Sequence, residues 1–449
     1  MSKKIILSIL SILVVGCVIL SIVAITAVVM ISKESKSEIT ATEPAATATA
    51  TATDDDQMDQ IQEEVMSYRG LKQSKPLTRA LLTTDQLKDK VINDFFKDYT
   101  DEDVKDDVQE LSALGLLSAG FDLKDFYIKL YSEQIAGFYD NETKDMYVVS
   151  DEGFNGTERM TYSHEFTHVL QDQNYDIRDG LKDNEDYCKD HTEYCAAITA
   201  LIEGDATLSE QYWLYKYGTD KDKKQIQDFQ NSYTSPVYDS APAYMKQDFL
   251  FPYQYGLEFV SDLYMKNKWT AVDNAYKDPP VSTEQIIHPD KYPNDVPVKV
   301  SLPDLSGTLG KEWRLADDNE MGEWYSYLIL AYGRDSKFQL DTDTAKTATD
   351  GWGGDHYYFY VNDTTGKSIL IWESTWDTEK DAQEYWDAVK TYAADRWGAG
   401  NNHSEDSVSW ASNTDGQIVM EHSGSSVLWM MVPSLDLKSK IQNELKFGE

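Results

Sequence analysis

The feature that most constrains this chain is the stretch at residues 161–173, TYSHEFTHVLQDQ. It contains His164, Glu165 and His168 in the order His-Glu-x-x-His, within a segment whose residues favour a helix. Side chains four residues apart lie on one face of a helix, so both imidazoles can bind a single metal ion. Zinc suits this pattern because imidazole is a common zinc ligand and a four-coordinate ion can keep one position for water. Glu165 follows the first histidine and is placed to accept a proton from that water.

The alternative interpretation of this motif is two surface histidines beside a surface glutamate. Phe166, Val169 and Leu170 give the same helix an apolar side, which predicts that it is partly buried. Buried imidazoles need hydrogen-bonding or metal partners. The flanking residues therefore favour metal binding.

A second helix is predicted at residues 196–206, AAITALIEGDA. It carries Glu203 and Asp205 where its apolar run ends. A catalytic zinc site needs a third protein ligand, and a carboxylate in such an apolar context favours that role over a solvated surface position. This helix is therefore expected to lie beside the histidine helix.

The two motifs together resemble the gluzincin metallopeptidases, in which a glutamate on a later helix completes the HExxH site. The resemblance implies that His164, His168 and Glu203 bind one Zn²⁺ per chain and that Glu165 is the general base. The strings HEFTHVLQDQ and ALIEGDA are also similar to those of membrane-anchored bacterial and archaeal gluzincins, and the likeness extends over most of the chain after residue 56.

The sequence departs from the thermolysin-type pattern ExxxD, because Thr207 stands four residues after Glu203. The acid that orients the histidines is therefore expected elsewhere, and Asp172 and Asp205 are the two candidates.

An apolar segment precedes this region at residues 5–31, which contain no charged residue and follow Lys3 and Lys4. As a helix it would be about 40 Å long, enough to cross a bilayer. We expect a retained transmembrane signal anchor at residues 1–32, in a single-pass protein of the cell membrane. A cleaved signal peptide and lipoprotein processing at Cys17 are the alternatives.

The Thr/Ala-rich linker at residues 33–56 is typical of a segment that separates a body from a membrane, so the body is expected outside the cytoplasm. The net charge of −37 argues against nucleic acid as a partner. The roughly 390 residues after the linker exceed one ordinary core, which favours two domains. We expect a mainly helical zincin-like domain with a small sheet at residues 57–295 and a C-terminal α+β domain at residues 296–449, so that the fold class is α+β.

Local signals predict several elements around the motif. Helices are expected at residues 59–71 and 84–117, with Thr84 and Thr100 as N-caps. Residues 123–139 and 145–150 are expected to be strands, because they mix aromatic and β-branched side chains with turn residues. By the resemblance, one of these strands pairs with an extended peptide substrate.

Cys188 and Cys195 lie between the two predicted ligand helices, with His191 between them. They could form a metal cluster or a disulfide, and outside the cell the disulfide is favoured. A continuous helix would separate the cysteines by about 10 Å, beyond bridging distance. We therefore expect Cys188 in a loop and Cys195 near the start of the Glu203 helix.

Zinc peptidases need a donor for the oxyanion, and two residues are candidates. Tyr255 follows Pro252, which is expected to open a helix that buries Phe259 and Leu263. His288 ends a short helix that Ser282 and Thr283 cap. Simple packing for Tyr255 and helix capping for His288 are the competing interpretations.

The sequence thus predicts a membrane-anchored zinc metallopeptidase that acts on a protein or peptide substrate by metal-activated water and a glutamate base. Two alternatives stay open: a surface binding or sensor protein with structural zinc and no turnover, and a zinc hydrolase of a non-peptide substrate.

Overall fold

The computed structural model describes residues 53–448, apart from residues 91, 94, 95, 97, 98 and 152. The predicted anchor at residues 1–32 and nearly all of the linker lie outside the described residues. Among the helices that are described, none has the length and apolarity required to cross a membrane.

The first part of the described chain is mainly helical and includes three short strands. Its elements are α1 (Asp54–Arg69), β1 (Thr78–Leu82), α2 (Thr84–Lys90), α3 (Asp101–Ala113), α4 (Leu123–Gln134), β2 (Gly137–Tyr139), β3 (Asp145–Val149), α5 (Gly156–Tyr175), α6 (Glu185–Cys188), α7 (Thr192–Lys216), α8 (Asp220–Ser232), α9 (Pro236–Asp239), α10 (Ala243–Ala275) and α11 (Thr283–Ile287).

The second part is built on a large sheet. Its elements are α12 (Ser306–Leu309), β4 (Arg314–Asn319), α13 (Gly322–Ala331), a 3₁₀ turn (Ser336–Phe338), α14 (Thr342–Thr349), β5 (Trp352–Asn362), β6 (Lys367–Trp376), α15 (Glu379–Trp397), β7 (Asn401–Ser404), β8 (Ser407–Ser412), β9 (Gly416–Ser423), β10 (Ser426–Val432) and α16 (Leu435–Leu445). The seven strands are antiparallel in the order β4-β5-β6-β10-β9-β8-β7. The predicted α+β class is confirmed.

Helices and sheet share a core. The largest cluster of buried apolar side chains includes Ile198 of α7, Val260 of α10, Trp324 of α13 and Trp372 of β6. The amphipathic helix α15 lies against strands β6, β8, β9 and β10 and buries Trp386 and Tyr392. The division at residues 295 and 296 stays a prediction.

The small sheet has the order β1-β3-β2, with β1 parallel and β2 antiparallel to β3. The strand predicted at residues 145–150 is confirmed as β3, but the prediction for residues 123–139 is wrong over most of its length. Residues 123–134 form α4, because Asp122 caps a helix that buries Leu123, Leu130 and Tyr131 on one side. Those positions recur at helical spacing, which outweighs the strand propensity of the aromatic residues.

Two predicted helix starts also differ from the structure. The hydroxyl of Thr83 accepts from the Gln86 amide and so caps α2, whereas Thr84 is the first helical residue. Pro252 lies inside α10, which begins at Ala243, nine residues before the proline. Phe259 is buried on this helix as predicted, and Thr100 caps α3 as predicted.

Helix α10 crosses α7 at two glycines. A Cβ atom on Gly204 would lie 2.1 Å from the carbonyl oxygen of Gly256, and a Cβ on Gly256 would lie 2.1 Å from that of Ala200. Only hydrogen fits at either position, so the two backbones are in direct contact. This crossing fixes α7, and with it Glu203, against the first part of α10.

Cys188 and Cys195 form a disulfide, with their Cα atoms 5.6 Å apart. Cys195 lies in the first turn of α7, as predicted, whereas Cys188 ends the four-residue helix α6 instead of lying in a loop. The helix is interrupted between them, which brings the two cysteines within bridging distance. His191 stacks against Tyr187 and takes no part in a cluster with the sulfur atoms.

Candidate metal centre

The histidine motif lies on α5, as the sequence predicts. Asn155 caps this helix by accepting from the Thr157 amide, and Glu158 accepts from the Asn155 amide in return. The middle of α5 is surrounded by protein, because it packs against α7 on one side and strands β2 and β3 on another. Residues 161–172 are therefore all buried.

Three potential ligand atoms converge between α5 and α7. The Nε2 atoms of His164 and His168 are 3.0 Å apart. Oε2 of Glu203 lies 3.2 Å from Nε2 of His164 and 3.5 Å from Nε2 of His168. His164, His168 and Glu203 are 0%, 6% and 3% exposed, respectively. The structure thus brings together the three residues that the sequence predicts as ligands.

The outer nitrogen of each imidazole has its own partner. Nδ1 of His164 is 3.1 Å from Oε2 of Glu210, and Nδ1 of His168 is 2.8 Å from Oε1 of Gln171. Both partners offer acceptor oxygens, so each Nδ1 carries the proton in the neutral ring. The two Nε2 atoms then direct lone pairs at each other and at the Glu203 carboxylate.

Three lone-pair donors at such short separations repel one another in a buried site unless a cation lies between them. Ligand atoms 2.0–2.1 Å from a zinc ion at tetrahedral angles are about 3.3–3.4 Å apart. The observed separations of 3.0, 3.2 and 3.5 Å bracket that value. The residues present therefore fit a four-coordinate metal ion with one position left for another ligand.

The charge state of Glu203 is consistent with this role. Burial raises the pKa of its carboxyl, but the charges and hydrogen bonds of protonated His168 and His164 outweigh burial and lower the pKa to about 2. Where the rings are neutral and direct their Nε2 lone pairs inward, the charge of a bound metal ion would instead keep Glu203 in the carboxylate form that binds metal.

Glu165 has a different environment from Glu203. It is fully buried, and neither carboxylate oxygen makes a hydrogen bond of good geometry; the backbone amide of Tyr139 is a donor close to the carboxylate. Burial raises the pKa of Glu165 well above its ordinary value, His164 lowers it, and the charges of Glu203 and Glu210 raise it; the nearby Tyr139 amide lowers it. A buried carboxyl group without a well-formed hydrogen bond costs stability, which points to a role in chemistry.

Strand β2 passes directly over Glu165. A Cβ atom on Gly137 would lie 3.1 Å from Oε1 of Glu165 and 3.0 Å from Cγ2 of Thr161. Because Gly137 has no side chain, the carboxylate of Glu165 can lie next to the backbone of β2. In the order β1-β3-β2, strand β2 is the outermost of the described strands on this side.

The two acids predicted to orient the histidines lie elsewhere. Asp172 accepts from the Tyr139 hydroxyl at 2.8 Å and pairs with Lys144 at 2.8 Å. Asp205 contacts His168 only through Gln171, from whose Nε2 it accepts at 2.9 Å. Glu210 and Gln171 contact the histidines instead, and the sequence analysis missed both.

Helical spacing could have indicated both Glu210 and Gln171. Glu210 follows Glu203 by seven residues, or two turns, which places both on one face of α7. Gln171 follows His168 by three residues on α5 and so lies on the same face.

The two predicted oxyanion donors have contacts with α13. Tyr255 is half-buried and packs against the rings of Phe251 and Trp324, and burial raises its pKa to about 12. Nε2 of His288 lies 2.9 Å from Oε1 of Glu323. Burial lowers the pKa of His288, but the Glu323 carboxylate outweighs it and raises the pKa above its ordinary value. Beyond its own helix, His288 thus contacts Glu323 of α13 and Asp350, whose Oδ1 lies 3.7 Å from Nε2, and not the three ligands. The role of both residues in catalysis stays a prediction.

Comparison with known proteins gives one match. A family described as a domain of unknown function (DUF8575) matches residues 313–442. No curated protein and no solved structure matches the chain. The matched residues contain the seven-stranded sheet and the helices around it, so the similarity concerns this part of the chain and does not extend to the candidate metal centre.

Proposed function

We propose that this chain is a zinc metallopeptidase of the gluzincin type, with His164, His168 and Glu203 as the metal ligands. The observation that carries the proposal is the buried carboxyl group of Glu165, without a hydrogen bond of good geometry, directly beside three converging ligand atoms. A structural zinc site is closed by its ligands and has no use for such a group, whereas a hydrolytic site needs a base at this position.

A metal ion held by these residues would act as a Lewis acid. It would polarise the scissile carbonyl group and lower the pKa of a water molecule bound to it. Glu210 and Gln171 accept the Nδ1 protons of the histidines and so direct both Nε2 lone pairs inward. Glu165 accepts a proton from the attacking water and returns it to the nitrogen of the leaving amine.

The substrate approaches along β2 in this proposal. This strand is at the outer edge of the small sheet and lies against Glu165, so an extended peptide can pair with it. A cavity of about 630 Å³ begins beside it and is lined by Ala136 at the start of the strand and by Thr161, one turn before Glu165. Cavities of this size hold small ligands or substrate side chains. The anchor predicted at residues 5–31 holds the enzyme at a membrane.

Peptide cleavage tests the proposal. The full-length chain, in detergent with added zinc, is incubated with an unfolded-protein mixture, and new peptide ends are counted by mass spectrometry. We expect new ends with the wild type and a loss of at least about 10²-fold in rate for Glu165→Gln, because the base is removed. Glu63→Gln on α1 is the matched control and should stay active, because this glutamate is exposed to solvent.

Cleavage by Glu165→Gln at the wild-type rate would contradict the proposal. Zinc binding without any cleavage by the wild type would favour one of the two alternatives, a non-catalytic zinc protein or a hydrolase of another substrate class.

A further inference from the structure

Arg69, the last residue of α1, is fully buried and has an unusually complete set of partners. Its Nε and Nη2 atoms donate to the two carboxylate oxygens of Asp205 at 2.9 and 3.1 Å. Its Nη1 atom donates to Asp273 at 2.6 Å, and its guanidinium group lies 4.7 Å from the ring centre of Trp269. Such a bidentate pair fixes both members in position.

Asp205 in turn fixes the side chain of Gln171. The Gln171 amide nitrogen donates to Oδ2 of Asp205 at 2.9 Å and to the carbonyl oxygen of Ile202 at 3.0 Å. With two acceptors on one side, only the amino group of the amide fits there, so Oε1 faces His168. Oε1 then accepts the Nδ1 proton of His168 at 2.8 Å.

This series of contacts sets the orientation of a metal ligand from α1, a helix that packs against α5. A His168 ring that donates from Nδ1 must present the lone pair of Nε2 to the other ligands. Without Arg69, the Asp205 carboxylate would lose its bidentate partner and would turn toward the hydroxyl of Tyr276, which already donates to Oδ2 at 2.8 Å. This movement would weaken its hydrogen bond with Gln171.

The backbone of α10 supports the same arrangement. The helix is broken at Asn267 and Lys268, and Lys268 has φ +53° and ψ −153°, a conformation that costs energy in a residue with a side chain. Trp269 and Asp273, which contact Arg69, and Tyr276, which contacts Asp205, all follow this break. The strained residue thus directs the last part of α10 toward the Arg69–Asp205 pair.

We propose that Arg69 is a positioning residue for the metal centre, which acts on His168 through Asp205 and Gln171 and thereby makes zinc affinity depend on the docking of α1. The inference rests on the proposed zinc site but not on peptide hydrolysis. Because α1 begins at Asp54, within the last residues of the predicted linker, the site is completed by the described helix that lies closest in sequence to the predicted anchor.

The test is a double-mutant cycle on zinc affinity. The zinc dissociation constants of the full-length wild type, Arg69→Met, Gln171→Leu and the double variant are measured by competition with a chromophoric chelator. Each single variant should bind zinc about 10- to 100-fold more weakly, the range found for partners of metal ligands. Since both act through one contact, the double variant should bind zinc no more weakly than Gln171→Leu.

A control separates this role from general stabilisation. Arg314→Met removes another bidentate pair, from Arg314 to Asp106 at 2.8 and 3.1 Å, which joins β4 to α3. It should lower the free energy of unfolding in urea but leave the zinc dissociation constant unchanged. Arg69→Lys keeps the charge without the bidentate geometry, so its zinc affinity should lie between those of the wild type and Arg69→Met. If Arg69→Met does not fold, Arg69→Lys replaces it in the cycle.

Three outcomes can be distinguished. Weaker zinc binding that is not additive in the cycle supports the inference. Unchanged zinc affinity in the Arg69 variants, or losses that add fully to that of Gln171→Leu, overturns it. A wild type that binds no zinc overturns the proposed function itself.

Discussion

Burial affects the acids of this chain strongly, and Glu320 shows the effect at a single residue. This side chain follows β4 and lies near Asp355 and Asp318. Burial raises the pKa of Glu320 to about 7; the two aspartates add to the rise and Lys299 opposes it. The folded state therefore keeps a proton on Glu320 at a pH where the unfolded chain has lost it.

The pH dependence of unfolding should change when Glu320 becomes Gln. In the wild type, the free energy of unfolding should fall as pH rises from about 4.5 to about 7, because the folded state binds the proton more tightly than the unfolded state. Glu320→Gln should remove this contribution and be more stable than the wild type by about 2 kcal/mol at pH 8, but not at pH 4.5. Urea unfolding across this range measures it. Exposed Glu405, as Glu405→Gln, is the control, and an identical pH profile for Glu320→Gln and the wild type would refute the prediction.

At the level of single residues, the sequence was sufficient to predict the metal ligands. It was insufficient to predict the residues that contact the outer nitrogens of the two histidines. His164, His168 and Glu203 follow from helical spacing and from the resemblance, and the structure brings them together. Glu210 was not predicted because the position expected to hold an acid is Thr207, and because its contact crosses from one helix to another. Such a contact depends on the helix crossing, which the sequence alone does not supply.

At the level of helices and strands, the crossing of α7 and α10 is the contact that tolerates substitution least. Gly204 lies next to Glu203, so the close approach that it permits also sets the distance of this ligand from α5. A side chain there would meet backbone atoms, which cannot move aside as the end of a flexible side chain can.

Gly204→Ala should therefore destabilise the chain by about 3 kcal/mol or more, since its Cβ would lie 2.1 Å from the Gly256 carbonyl oxygen. Gly120→Ala is the matched control, because nothing lies within 4 Å of its Cβ position, and it should change the stability by no more than about 0.5 kcal/mol. Urea unfolding of both variants provides the comparison. Equal stability of the two would show that the helices separate at little cost.

Helices and strands were predicted correctly where the spacing of apolar residues and the capping residues indicated the same element. The prediction failed where these signals indicated different elements. Thr100 caps α3 as predicted, and the strand expected at residues 145–150 is confirmed as β3. Residues 123–134 form a helix because burial at helical spacing outweighs their aromatic content. Pro252 lies within α10, where tertiary packing on both sides of it maintains the helix.

Over the whole molecule, helices and a large antiparallel sheet share one buried cluster, and the candidate metal centre lies in the helical part. The sequence predicted the α+β class from helices segregated among antiparallel strands. It did not predict the strand order of the large sheet, because pairing between distant strands depends on long-range contacts that local patterns do not encode.

The measurement that tests the account most directly is the zinc content of the purified full-length chain. Elemental analysis after incubation with zinc and removal of the excess should give about one zinc per chain for the wild type and for Glu165→Gln, because Glu165 is not a ligand. Glu203→Ala and His168→Ala should retain far less, since each removes one of three protein ligands. A wild type that binds no zinc, or ligand variants that keep the full amount, would contradict the central claim that His164, His168 and Glu203 form a metal centre.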